Sequence, residues 1–241
     1  MKLSELFTVK RIAFILLFAV LSFVGSQINF SALVGAENQF LTFFQFFGPM
    51  TGAFLGPVFG VLAVFISQIA NSILLGKTFD LITIARLFPM LFAAAYFAYA
   101  GKGFAKMTLN SKVLTVLIPL IAIAVFWTNP AGQGAWVFAL YWLIPIIALF
   151  FSKNLFVRSL GATFTAHAVG GTIWVLIVPM TSEAWLALIP VVAFERLAFA
   201  LGIAVSFIAM NSILARIESV SESQEVFIDY RYVLGKTEAV A

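Results

Sequence analysis

The chain has 241 residues, 63% of them hydrophobic and only 10% charged, and its mean hydropathy is +1.08. A composition this apolar excludes a fold organised around a water-soluble core and predicts an all-α, polytopic membrane helix bundle over residues 1–215, followed by a polar cytoplasmic tail over 216–241. The formal net charge of +4 implies no nucleic-acid partner, because the basic residues sit mostly in short loops between apolar runs, and the absence of cysteine excludes disulfides, thiol catalysis and cysteine-ligated metals.

Lys2, Lys10 and Arg11 precede the first apolar run, which extends to about residue 33. That is longer than the signal h-region of about 7 to 15 residues, and no clear small-x-small cleavage site follows, so a retained first span over 12–34 is expected. From 39 to 76 the chain is apolar for almost forty residues, with glycines at 48, 52, 56 and 60 and prolines at 49 and 57. One straight helix of that length would measure about 55 Å against a hydrocarbon core of about 30 Å. Pro57 cannot donate to the Ala53 carbonyl and Gly56 accepts any backbone conformation, so a turn near Gly56 separating two short passes, 40–55 and 57–75, is predicted. A re-entrant loop plus one span is the alternative. The glycine spacing points to close helix contact rather than to chemistry.

Further spans are expected at 80–100, 113–128, 133–151, 157–179 and 187–213. Helices are required because lipid offers no partners to open backbone, and the dyad alternation of membrane barrels is missing. About eight transmembrane passes place both termini on one side, together with Lys102, Lys106, Lys112, Lys153, Arg158 and Arg216, which the positive-inside rule makes cytoplasmic. Glu37, Lys77, Asp80 and Glu183 fall on the other side. Trp127, Trp136 and Trp185 fit an interfacial aromatic belt.

Ionisable groups at membrane depth cost about 2.5 to 3.5 kcal/mol each on insertion scales, so the few present require a reason. Arg86 lies early in the fourth span, His167 is central in the seventh, and Glu195 and Arg196 occupy the outer half of the eighth. In one reading Glu195 pairs with Arg86 or His167 and ties helices together. In the other, the four groups line a cavity open to the outside that binds a polar solute. Glu195 and Arg196 project about 100° apart, so they are not expected to face one partner together. His167, Gly171 and Trp174 share a helix face, with the glycine leaving space between a hydrogen-bonding ring and a stacking ring. Gln68 and Asn71 reach the same cavity or act as interhelical glue. There is no phosphate loop, no H-E-x-x-H, and too few ligands for a zinc site. No cofactor and no enzyme activity are expected, and the energy for uphill transport would come from an ion gradient or another subunit.

The order of features, GAFLGPVFG over 52–60, amides at Gln68 and Asn71, AYAGKGFAK, and LIPVVAFERLAFALGIAVSFI near the end, resembles the substrate-binding S component of energy-coupling factor transporters. The likeness covers about residues 8–105 and 155–215. It implies a six-helix core, to which residues 113–151 add a hairpin, in a multi-pass protein of the cell membrane. The A-x-x-x-A pattern of that family's first helix is missing; Ala19, Ser22, Gly25 and Ser26 stand there instead. The resemblance further implies capture of a small water-soluble nutrient, such as an aromatic vitamin or precursor, by outer helix ends and the loop holding Glu37, Asn38 and Gln39. Arg86 would attract an anionic group, Glu195 a cationic one, and His167 with Trp174 would hydrogen-bond and stack. Besides the solute and the membrane lipids, the implied partners are a transmembrane coupling subunit and an ATPase pair. The alternatives are an ion-coupled secondary transporter driven by titration of Glu195 or His167, and a scaffold using the acidic tail residues Glu218, Glu222, Glu225 and Asp229.

Overall fold

The computed structural model of the chain describes residues 8–32, 34, 40–217 and 225–235. Six of its helical stretches are long and apolar enough to cross a bilayer, the makeup of a multi-pass membrane protein. They are α1 (Val9–Ser26), α3 (Thr51–Leu74), the run Leu81–Ala100 formed by α4 (Leu81–Ala85) and α5 (Phe88–Ala100), α6 (Leu109–Thr128), α9 (Leu155–Ile177) and α10 (Ser182–Leu214). A short α2 (Phe44–Phe47) precedes α3, and α7 (Pro130–Gly134) and α8 (Ile144–Phe150) lie between α6 and α9.

The expected first span to residue 34 ends early. Gln27 folds its side-chain amide back onto the Phe23 carbonyl at 3.3 Å, and the backbone leaves the helix there. Strand β1 (Asn29–Ala32) follows and pairs antiparallel with β2 (Phe40–Thr42), Asn29 facing Thr42 and Ala32 facing Phe40. Residues 40–55 are therefore a strand and a short helical arm, not a full-length helix.

The predicted turn forms at Gly56, whose φ of 75° and ψ of 173° break α3 internally. In a continuous helix residues 52 and 60 would stand about 12 Å apart. Here the Thr51 hydroxyl donates to the Gly60 carbonyl at 3.0 Å, and a Cβ on Gly60 would strike the Gly52 backbone. The chain has reversed direction. A Cβ on Gly52 would likewise collide with the Ala94 carbonyl of α5, so these glycines allow the close contact that their spacing predicted.

The expected helix over 133–151 is also rebuilt. Pro145 has no N–H for the Tyr141 carbonyl, which instead accepts from the Ile144 N–H, and residues Trp136–Leu143 wind as a 3-10 helix before α8 resumes. This hairpin is not peripheral. Phe126, Phe138 and Trp142 form a buried cluster with Trp185 of α10. Trp185, expected at an interfacial belt, is instead 2% exposed inside this cluster, while Trp127 and Trp136 are exposed.

Residues 225–235 fold back against the bundle. The Phe227 N–H donates to the Phe54 carbonyl at 2.8 Å, the Asn211 amide brackets the Asp229 backbone, and Val226 is buried. Glu225 accepts from the Thr8 hydroxyl at 2.5 Å, which brings the described parts near the two termini together.

Candidate functional site

A cavity of about 540 Å³ lies among the β1–β2 hairpin, the end of α3, α4, α9 and the first half of α10, within the size range of small-molecule sites. Its lining includes Arg86, Glu195, Arg196, His167, Trp174, Gln68 and Asn71. Asn38, with Glu37 and Gln39, lies outside the described residues.

Arg86 sits where α4 stops, because Pro89 has no N–H to continue the helical ladder at Ala85. Its Nη2 donates to the Phe40 carbonyl at 2.7 Å. No carboxylate pairs with it among the described residues. Lys77 lines the same cavity, and burial first, then the Arg86 charge, hold its ammonium below the usual lysine range. Asp80 accepts from the Thr83 N–H at 2.7 Å as the N-cap of α4, and this hydrogen bonding holds its carboxyl below the usual range.

Glu195 pairs with neither Arg86 nor His167, contrary to the helix-tying expectation. Its Oε2 accepts from Nη2 of the adjacent Arg196 at 3.2 Å, and its Oε1 accepts from the Ser31 hydroxyl. Side chains 100° apart in projection meet because the long guanidinium reaches back to its neighbour, and Thr163 Oγ1 at 3.4 Å and the Phe199 ring at 4.7 Å hold it there. Glu195 thus offers spare acceptor lone pairs but not an uncompensated charge. Among the described residues the cavity carries three cations, Lys77, Arg86 and Arg196, against two carboxylates, Asp80 and Glu195, a surplus of one positive charge.

The Nδ1 of His167 accepts from Trp142 Nε1 at 3.0 Å, which fixes the neutral ring as the Nε2–H tautomer. Gly171 makes room for Trp142, not for a ligand between His167 and Trp174: a Cβ there would lie 2.6 Å from the Trp142 ring. Trp174 donates Nε1–H to the Val34 carbonyl at 3.0 Å, tying the first loop to α9. Gln68 donates to the Leu87 carbonyl and Asn71 accepts from the Ser26 hydroxyl, both at 3.0 Å, so each amide ties helices while lining the cavity.

Sequence reading missed Ser31, Trp142 and the Phe40 carbonyl, and counted Lys77 and Asp80 only as loop charges. Lys77 and Asp80 had a signal, since both stand in the short loop that leads into the apolar run holding Arg86. Trp142, inside the apolar hairpin, had none. Comparison with known protein families, with curated proteins and with solved structures returned no match to this chain.

Proposed function

We propose that this protein captures a small water-soluble solute carrying an anionic group on a flat, hydrogen-bonding ring. The observation that carries the reading is Arg86, a largely enclosed cation whose hydrogen bond among the described residues goes to a backbone carbonyl, in a cavity that also holds Lys77, His167 and Trp174. A guanidinium with unused donors is a planar fork for a carboxylate or phosphate. Its partner is the ligand's anion, while the fixed His167 tautomer and the Trp174 ring meet the apolar part and Glu195 supplies acceptors. The chain binds and carries out no covalent chemistry.

The transmembrane arrangement in this proposal has eight passes. Besides five of the long helices and the part of α3 after Gly56, residues 40–55 run from the cavity to the Gly56 turn. Trp136–Phe150, eight residues at 3-10 rise and seven at α rise, measures about 27 Å, close to the thickness of the hydrocarbon core. The Thr8–Glu225 hydrogen bond favours termini on one side, the basic side, which the positive-inside rule makes cytoplasmic; the cavity then faces outward across the cell membrane. In this arrangement the protein is the solute-binding subunit of an ATP-driven importer of the energy-coupling factor type, and a separate coupling subunit and ATPase pair supply the work.

The test is direct binding of aromatic vitamins and precursors, acidic and neutral, to purified protein. Arg86→Ala should weaken an acidic ligand by roughly ten- to a hundredfold, the worth of one charge-assisted hydrogen-bond set, and leave neutral analogues nearly unaffected. Equal affinity of wild type and variant for every acidic ligand that binds would remove the assignment. Liposomes containing this chain alone should bind solute without accumulating it.

A further inference from the structure

At the other end of the bundle a second cavity, of about 370 Å³, lies between the Gly56 turn, the end of α5, the start of α9 and the folded-back tail. Arg158 of α9 is part of its wall and is only 3% exposed. The guanidinium carbon stands 4.3 Å from the Phe97 ring centroid and 4.9 Å from that of Phe207. Its Nε and Nη2 are sealed from solvent and have no acceptor among the described residues. Nη1 approaches Gly101, where a Cβ would come within 2.8 Å of it, and Gly101 and Lys102 both line the cavity. The carboxylate on the same wall, Asp229, is committed elsewhere: it accepts from Arg231 Nε at 2.8 Å and Nη2 at 2.6 Å.

A buried guanidinium is normally met by an anion, because cation–π contacts of about 0.5 to 2 kcal/mol recover only part of the desolvation cost. Here the nearby carboxylate is taken, two donors are unused, and empty space adjoins the charge. We infer that this inner-end cavity is a binding site for a phosphate-type oxyanion, with the Arg158 guanidinium, through Nη1 beside Gly101, and the Lys102 ammonium meeting its oxygens. The oxyanion comes either from solution, as inorganic phosphate or a phosphorylated solute, or from the headgroup of an anionic lipid.

The full chain, purified in neutral detergent, is titrated with inorganic phosphate against chloride of equal ionic strength, and its thermal midpoint is followed. In a second arm it is placed in phosphatidylcholine nanodiscs with and without phosphatidylglycerol. A saturating upward shift with phosphate identifies a soluble anion, and a shift confined to the phosphatidylglycerol discs identifies a headgroup. In either case Arg158→Gln should abolish the shift. Lys102→Gln, at an exposed position that does not endanger folding, should weaken it about fivefold. Absence of a shift in both arms, or a shift that Lys102→Gln leaves unchanged, overturns the site. Neither residue lines the Arg86 cavity, so this outcome is independent of solute capture.

Discussion

The two ends of the bundle treat a buried arginine in opposite ways. At the cavity end Arg196 has a carboxylate at 3.2 Å, a threonine hydroxyl and a phenylalanine face. At the tail end Arg158 has two phenylalanine faces and, among the described residues, no carboxylate within ion-pairing distance. The first guanidinium has its charge neutralised from within its own helix, with only its Nε left without an acceptor among the described residues. The second, like Arg86, has no carboxylate partner among the described residues. A buried cation is thus a better pointer to a ligand when its partner is missing than when it is present, because a satisfied pair has little free energy left to give to a guest.

The sharpest way to break this contrast is to make Arg196 resemble Arg158. Glu195→Ala would leave an uncompensated charge at a position 3% exposed, and removing one partner of a buried pair costs about 3 to 5 kcal/mol. Denaturant titration in detergent should record a loss of that size. The double variant Glu195→Met, Arg196→Leu should recover most of it, since apolar replacement of a whole pair is close to neutral. A single variant as stable as the wild type would mean that Arg196 finds water or another acceptor, and the contrast between the two ends would fail.

The tail belongs to the same comparison, because it is what closes the Arg158 end. Asn211, fully buried, accepts from the Asp229 N–H at 3.0 Å and donates to the Asp229 carbonyl. Asn211→Ala would orphan both backbone groups at a cost of about 1 to 3 kcal/mol, enough to release residues 225–235 to protease. Limited proteolysis should show cleavage in the tail at protease levels that leave the wild type intact. If the tail stays protected, the Phe227–Phe54 backbone bond and the buried Val226 suffice to hold it.

How far the sequence could be read divides along the same physical line. Positions dictated by local covalent chemistry were legible: Gly56 before Pro57 reverses the chain as their backbone limits require, and Arg86, His167, Trp174 and Arg196 line one cavity because charged and polar groups within apolar helices collect away from lipid. What depends on neighbours distant in sequence was not legible. Trp142 gives no sign that its indole will hold His167, because that contact exists only once the 3-10 hairpin packs on α9. In one of its two readings Glu195 reaches across helices; in the structure the neighbouring arginine satisfies it, while it still lines the cavity. The inward fold of a charged tail was equally invisible, since Asp229 reads as a solvated acid and Asn211 as one polar residue near the end of the last span until their backbone partners are known. Arg158, counted as one more loop charge, is 3% exposed, and charge counting gives no sign of burial.

The smallest expected effect concerns the committed carboxylate. At Asp229 burial favours the protonated form, but the hydrogen bonds and charge of Arg231, with a contribution from Arg158, outweigh it and set the carboxyl below its ordinary 3.8. Because the folded value is the depressed one, the carboxylate's contribution to tail docking is complete above about pH 3.8 and disappears as the pH falls through the lower folded value. Protease protection of the tail should therefore be flat between pH 8 and pH 5 and fall only at more acidic pH, with pepsin as the probe. Asp229→Asn removes the charge at all pH values, so its tail should be slightly less protected at neutral pH and should lose the acid-dependent step. It should also free Arg231 and leave the cavity more positive, so phosphate should stabilise this variant at least as well as the wild type. If Asp229→Asn instead weakened phosphate binding, the carboxylate would be organising the site rather than standing aside from it, and the separation drawn here between a satisfied acid and a waiting arginine would not hold.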